Sequence, residues 1–338
     1  MRSRLISFQF PKVAAVLLAC AGSAWSVPTQ IFTPTTINYP GSTSTAARGI
    51  NDRGEIVGTY SCAAACINPV NGETSTAGGH GFLLKDGVYT RIDVPGGIAT
   101  VVRGISKQGI IVGHYNVGPV THGFAYFGGR YVYPIDVPAE LFDNPGSPLR
   151  DTLIVRISPT GDLVGCFHED AQTMTTMHGW LLHKGRFTKL ATPHSPGDNT
   201  SHDPDTMNNG IAPNGEIVGF YLSSGVSYIA DEDGIVTTFT FPDNRFTLAW
   251  DVNAQGDVVG VHGDNPAHTI GIPVPPSGFL RTQRGDYFDL KVQGATSTQV
   301  FGINSRRQIV GQFTDATGTH GFVYGLEGEN RDDDEADD

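Results

Sequence analysis

Residues Gly49-Ile50-Asn51-Asp52-Arg53-Gly54-Glu55-Ile56-Val57-Gly58-Thr59-Tyr60 hold two apolar strand ends around a short polar turn that closes on a glycine. A Gly at the end of such a turn supplies the positive φ that a chain reversal needs. The same phrase returns five times. Gly104-Ile105-Ser106 leads to Ile111-Val112-Gly113-His114-Tyr115, and Arg156-Ile157-Ser158 to Leu163-Val164-Gly165-Cys166-Phe167. Gly210-Ile211-Ala212 leads to Ile217-Val218-Gly219-Phe220-Tyr221, Asp251-Val252-Asn253 to Val258-Val259-Gly260, and Gly302-Ile303-Asn304 to Ile309-Val310-Gly311-Gln312-Phe313. The six marker glycines lie 55, 52, 54, 41 and 51 residues apart.

Two further strand signals complete each copy. One begins with His-Gly-Phe or His-Gly-Trp, at His80, His122, His178 and His320; copies four and five carry Ser227-Tyr228-Ile229 and Ser277-Gly278-Phe279 instead. The other alternates apolar and polar residues, as in Tyr89-Thr90-Arg91-Ile92-Asp93-Val94. These segments are rich in Ile, Val, Tyr and Phe, are separated by Gly-containing turns, and show no helical period. Four strands per unit, repeated six times, predict an all-β fold: a six-bladed β-propeller of four-stranded antiparallel blades, over residues 27–326. Copy six stops after its third strand. Residues 31–40 match the fourth-strand pattern, so the N-terminal strand is expected to close the ring. Copy six also has Arg307 where the other copies end the turn with Gly, an expected cost of about 1 kcal/mol if the turn geometry is kept.

These phrases resemble the bacterial extracellular HAF-repeat family, over roughly residues 30–324. The family is named for a His-Ala-Phe tripeptide, and this chain has Gly between His and Phe. The resemblance implies an exported bacterial protein and no particular activity.

Composition narrows the classes. The 338 residues include 43 Gly, are 39% hydrophobic and 17% charged, and carry a formal net charge of −12, which disfavours binding to nucleic acid or to anionic membranes. Arg2, Arg4 and Lys12, the apolar run 13–21 and Ala24-Trp25-Ser26 form a secretory signal peptide over residues 1–26, implying a secreted or periplasmic protein. An alternative is a lipoprotein box ending in Cys20. No stretch reaches the roughly 20 apolar residues of a membrane span. Residues 327–338 hold eight acids and one Arg and read as a disordered acidic tail. In an oxidising compartment Cys62 and Cys66 are expected to form a disulfide, and Cys166, in an apolar strand, to be a buried inert thiol.

Propeller topology sorts the loops by face. Connections from strand one to two and from three to four are short; the others, among them 61–79, 138–153, 168–177, 193–209 and 262–277, are long and emerge on the opposite face. Function concentrates on loops held by a rigid scaffold. The ligand-binding candidates are therefore His168, Glu169, Asp170, His194, Asp198, His202, Asp203 and Asp205, the last five within one polar loop. The leading expectation is a monomeric binding protein for a glycan, protein or small molecule, without a cofactor. The alternative is a metal-dependent hydrolase or lyase using calcium or zinc, with His194, His202, Asp203 and Asp205 as ligands and Glu169 as base. The recurring His80, His122, His178 and His320 are expected to hydrogen-bond neighbouring backbone. Arg48 and Arg103, each before Gly-Ile near the axis, are expected to pair with local carboxylates, or else to attract an anion. No nucleophile elbow, zincin or phosphate-loop motif is present.

Overall fold

The computed structural model describes residues 27–69, 71–143, 145–146, 150–169, 177–190, 205–242, 246–264 and 275–325. The expected signal peptide, Cys20 and the expected disordered acidic tail lie outside them. Among the described residues the fold is all-β, with one 3-10 turn at Ala139–Leu141 and no helix long and apolar enough to cross a membrane.

Copies one to five each supply four antiparallel strands in chain order, and copy six supplies three. Copy one pairs Ser44–Ile50, Ile56–Cys62, Gly78–Lys85 and Val88–Ile92 in chain order. Copies two, three and four begin with Thr100–Ile105, Asp151–Ile157 and Thr206–Ile211 and follow the same order. Copy five runs from Phe246–Val252 to Tyr287–Val292. Copy six contributes Ser297–Ile303, Gln308–Asp315 and Gly318–Gly325.

The expected N-terminal strand is two strands. Thr35–Ile37 pairs antiparallel with Gly318–Gly325 in the fourth-strand place of copy six. Thr29–Phe32 instead pairs parallel with Tyr287–Val292, adding a fifth strand to copy five. Pro34 lies between them and has no N–H to continue a ladder. Phe32 and Ile37 accordingly enter two different core clusters.

The turn and marker glycines have separate physical reasons. The turn glycines Gly54, Gly109, Gly161, Gly215 and Gly256 all have positive φ, and Arg307 holds the same conformation at φ 56°. Its guanidinium meets Asp257, Nε to Oδ2 2.8 Å and Nη2 to Oδ1 3.2 Å, which offsets the backbone cost. The marker glycines face a bulge. Each first strand carries one extra residue: Arg48, Arg103, Val155, Asn209, Trp250 or Phe301 in copies one to six. The bulge drives a carbonyl toward the second strand. A Cβ on Gly58 would lie 2.0 Å from the Ala46 oxygen, and one on Gly113 2.0 Å from that of Val101. The Phe of the third strand packs over the same glycine, as Phe82 does over Gly58, and is fully buried.

Neighbouring copies are stitched by two repeated devices. A Thr near the start of the first strand accepts a hydrogen bond from the preceding fourth strand: Val94 N–H to Thr100, Val137 to Thr152, Phe241 to Thr247 and Val292 to Thr298, all 2.8–3.0 Å. Tyr39 N–H to Thr45, 3.0 Å, makes the same link from the N-terminal segment. The Asn of Gly-Ile-Asn reaches between copies: Asn253 Nδ2 donates to the Asn304 carbonyl, Asn304 to that of Asn51, and Asn51 to that of Ser106. The Asn oxygen meanwhile caps its own turn, accepting from Arg53 and Glu55 N–H in copy one.

Candidate functional site

The His of the third strand does not serve backbone alone. His80 Nδ1 lies 2.8 Å from Asp93 Oδ2, and His122 Nδ1 2.9 Å from Asp136 Oδ2; in copy six the partner is Asn38 Oδ1 at 2.9 Å. His80 Nε2 also reaches the Thr76 carbonyl, a backbone contact of the expected kind. The partner sits one residue past the end of the fourth strand, so the pair braces the sheet edge where the long loops leave. The ring also lies against the aromatic that ends the second strand, as His80 on Tyr60 and His178 on Phe167. Copy five reaches the same result with His262 on the second strand, Nε2 3.0 Å from Asp289.

On the long-loop face, copies two and three enclose a cleft of about 260 Å³. His122, Asp136, Arg150 and Phe142 line it, with Val117 and Val120 at one side. The Arg150 guanidinium stands 5.3 Å from the Phe142 ring and donates to the Pro145 carbonyl at 3.0 Å. Phe142 packs in turn on Phe167, 4.5 Å between centroids. Directly beyond it lie Asp143, Glu169 and His178, whose ligand atoms all fall within 4.8 Å of one another. His178 Nε2 is 3.5 Å from Glu169 Oε1 and 3.9 Å from Asp143 Oδ2. One imidazole with two carboxylates is a donor set for a divalent transition metal, and is too small and too rich in nitrogen for calcium. Lys189 Nζ, 3.4 Å from Asp143 Oδ1, places a competing cation at the same carboxylate.

Of the residues proposed from sequence, three are described. Glu169 joins the trio above, and its Oε1 also accepts the Asp143 N–H at 3.0 Å. His168 is only 2% exposed and faces inward, Nδ1 3.4 Å from Asp151 Oδ2, so it is a buried pair and not part of the loop surface. The alternation of the second strand sends His168 and Glu169 to opposite sides. Asp205 Oδ1 accepts the Met177 N–H at 3.0 Å, which ties a loop end. Asp170, His194, Asp198, His202 and Asp203 lie outside the described residues. Asp143 and His178 were not among the candidates for metal binding. Both were visible as a His and an Asp on long-loop termini, but their approach depends on the packing of Phe142 and Asp143 over copy three.

The expected disulfide Cys62–Cys66 is present, and Cys166 is a buried free thiol whose pKa burial pushes up to about 12. The expectation for the two arginines is overturned. Among the described residues no carboxylate pairs with Arg48 or Arg103; the first lies over the Phe301 ring at 4.2 Å and the second over Trp250 at 5.8 Å. The acid at the centre, Asp251, is taken by Arg156, Nε to Oδ1 3.2 Å. The Arg156 Nη atoms donate to the carbonyls of Arg48, Arg103, Trp250 and Phe301 at 2.7–3.2 Å. First strands from copies one, two, three, five and six thus converge on one guanidinium, which floors a depression of about 70 Å³ on the short-loop face.

No protein-family model matches the chain, and no curated protein matches it. Among solved structures it is similar to the calcium-binding protein regucalcin from Agrobacterium tumefaciens, with 13% identity, a TM-score of 0.50, and 89% of this chain and 98% of that one covered. It also matches virginiamycin B lyase from Staphylococcus aureus, at 12% identity and TM-score 0.47 over 87% of this chain and 99% of that one. A third match is the β-propeller domain of the Trilobed protease from Pyrococcus furiosus, at 8% identity and TM-score 0.41 over 85% and 84%. Likeness at such identities extends to the fold alone; the repeated four-stranded antiparallel sheets, with the regucalcin match beside them, are those of a β-propeller.

Proposed function

We propose that this chain is an exported, monomeric, six-bladed propeller that binds its ligand through the long-loop face, and that the HAF-repeat resemblance reflects common ancestry. Ring closure is supported by the Thr35–Ile37 pairing on copy six and by the Asn304 to Asn51 hydrogen bond between the last copy and the first. Export is supported by the disulfide, which persists in oxidising compartments. The observation that carries the binding reading is the 260 Å³ cleft with His122, Asp136 and Arg150 on its wall, opening where the long connections gather. The ligand class remains a glycan, a protein or a small molecule, with the cleft presenting both charge signs and an apolar base.

A second reading, a metal-dependent hydrolase or lyase, is favoured by the Asp143, Glu169 and His178 trio. In that reading these three replace His194, His202, Asp203 and Asp205 as the first ligands to test, and the ion would polarise a substrate oxygen or activate a water. The test uses mature protein, residues 27–338, on a glycan array, with metal content measured in parallel. Binding should be lost in Arg150→Ala with an unchanged melting temperature and kept in Lys107→Ala on the short-loop face. Loss in Lys107→Ala alone would reverse the assignment of faces. Stoichiometric metal that disappears in His178→Ala would favour the second reading.

A further inference from the structure

Among the described residues, the centre of the molecule, on the long-loop side of Arg156, holds more positive charge than its neighbours neutralise. Arg48 and Arg103 come from the bulges of adjacent copies, and their carbonyls share one Arg156 nitrogen at 3.1 and 2.9 Å. Three guanidiniums therefore meet one carboxylate, Asp251. Guanidinium stays protonated in a protein, so burial cannot remove this charge by titration. Burial and mutual repulsion do lower the pKa of Arg48 well below its ordinary value and that of Arg103 to about 10. The Asp151 carboxylate is not a substitute: it is engaged by His168 and by the Thr121 N–H at 2.6 Å.

Unpartnered donors gather at the same place. Among the described residues, Arg48 Nε, Arg103 Nε and Trp250 Nε1 are all buried without a hydrogen-bond partner. Buried donors without acceptors cost about 1–3 kcal/mol each and call for an explanation. Both arginine side chains nevertheless keep some solvent exposure, so the space beside them is not filled by protein.

Behind the Trp250 and Phe301 rings the packing is apolar and comes from the other copies. Val155, Met207, Phe220 and Leu248 form one cluster with Trp250 and Phe301, drawn from copies three to six. The charge lies on the side of copies one and two, and the aromatic rings that meet it on the side of copies five and six. An inorganic ion would match only half of this lining.

We propose that the axial space bounded by Arg48, Arg103, Trp250 and Phe301 is a binding site for an organic oxyanion, a carboxylate or sulfonate carried on an apolar or aromatic body. The guanidinium forks take the oxygens, and the aromatic rings that now stack on them pack the body of the ligand. The site is independent of the cleft between copies two and three and of the metal trio.

The test is calorimetric titration of mature protein with 3-phenylpropionate, its neutral analogue 3-phenylpropanol, and inorganic sulfate. The expected result is saturable binding of the carboxylate with a Kd below about 1 mM, with the alcohol and sulfate at least about tenfold weaker. Arg103→Met should lose the carboxylate by at least about tenfold, and without ligand Arg48→Met should melt no lower than the parent, because an uncompensated charge has been removed. If either variant misfolds, the three titrations of the parent decide the matter. No saturable binding up to about 10 mM, or equal binding of the alcohol, would overturn the proposal. Sulfate binding as tightly as the carboxylate would overturn it in favour of an inorganic-anion site.

Discussion

Arg156 and Asp251 occupy the same position in two different repeats, where the other four copies have Gly49, Gly104, Gly210 and Gly302, and they pair with each other at 3.2 Å. The glycines are there because the first strands crowd together; a Cβ on Gly49 would stand 2.9 Å from the Arg103 carbonyl, and one on Gly210 2.8 Å from the Asp251 backbone. Two copies give up that glycine, and the charges that replace it complete each other. Asp251 also accepts the Ile303 N–H at 3.1 Å, so it links copies five and six while it fixes the side chain of copy three.

Asp251→Ala should therefore destabilise the protein by about 3 kcal/mol, since Arg156 would be left buried without its partner. The double change Arg156→Gly with Asp251→Gly restores the repeat consensus and should cost at least about 1 kcal/mol less than the two single changes summed. Urea unfolding of the four proteins measures this coupling, and strict additivity would mean that the pair is incidental.

The marker glycines are constrained by the bulge carbonyl opposite them. Gly113→Ala should cost about 3 kcal/mol or more, because its Cβ would fall on the Val101 oxygen. Gly87→Ala meets open space and carries only the penalty for positive φ, about 1 kcal/mol. Thermal melts of both should rank in that order.

Removing residues 27–40 from a chain that starts at residue 27 should lower the melting temperature of the whole fold. The deletion strips the fifth strand from copy five and the fourth from copy six, exposing the faces that Phe32, Ile37 and Tyr39 cover. An unchanged melt would show that the N-terminal strands are accessory.

Acid should act on the first turn. Burial alone would raise the Glu55 carboxyl, but hydrogen bonds from Arg53, Asn51 and Lys85 outweigh it and bring the pKa down from 4.5 to about 2. A depressed carboxyl stabilises the fold above pH 4.5, and that contribution fades as the pH falls toward 2. Arg53 and Lys85 are half exposed and screened, so the contribution is of order 1 kcal/mol. Glu55→Gln should flatten this part of the stability–pH curve, while leaving the carboxylates elsewhere to produce the remaining acid unfolding.

Alkylation of native protein should label none of the three cysteines beyond residue 26. Cys62 and Cys66 are bonded, and Cys166 is fully buried with its thiol held protonated near neutral pH. Mass spectrometry that found label at Cys166 before unfolding would contradict the burial.

Much of this molecule is local, and the local part was legible in the sequence. Strand alternation, the turn glycines, the unusual Arg307 and the Cys62–Cys66 pair each involve residues within a few positions of one another, so spacing alone constrains them. The Thr45, Thr100, Thr152, Thr206, Thr247 and Thr298 series was also readable, as a polar residue recurring once per copy, although its role as an acceptor between copies was not. The centre was a different matter. Arg48 and Arg103 looked like partners for nearby acids, yet the nearest chemistry is Phe301 and Trp250, which lie 253 and 147 positions away in the chain. A repeat tells which residues are equivalent, but not which equivalents face one another. That is decided when the sheets gather around a common centre, where the bulges bring two arginines and four unlike side chains together and leave each charge to the partners that the packing brings.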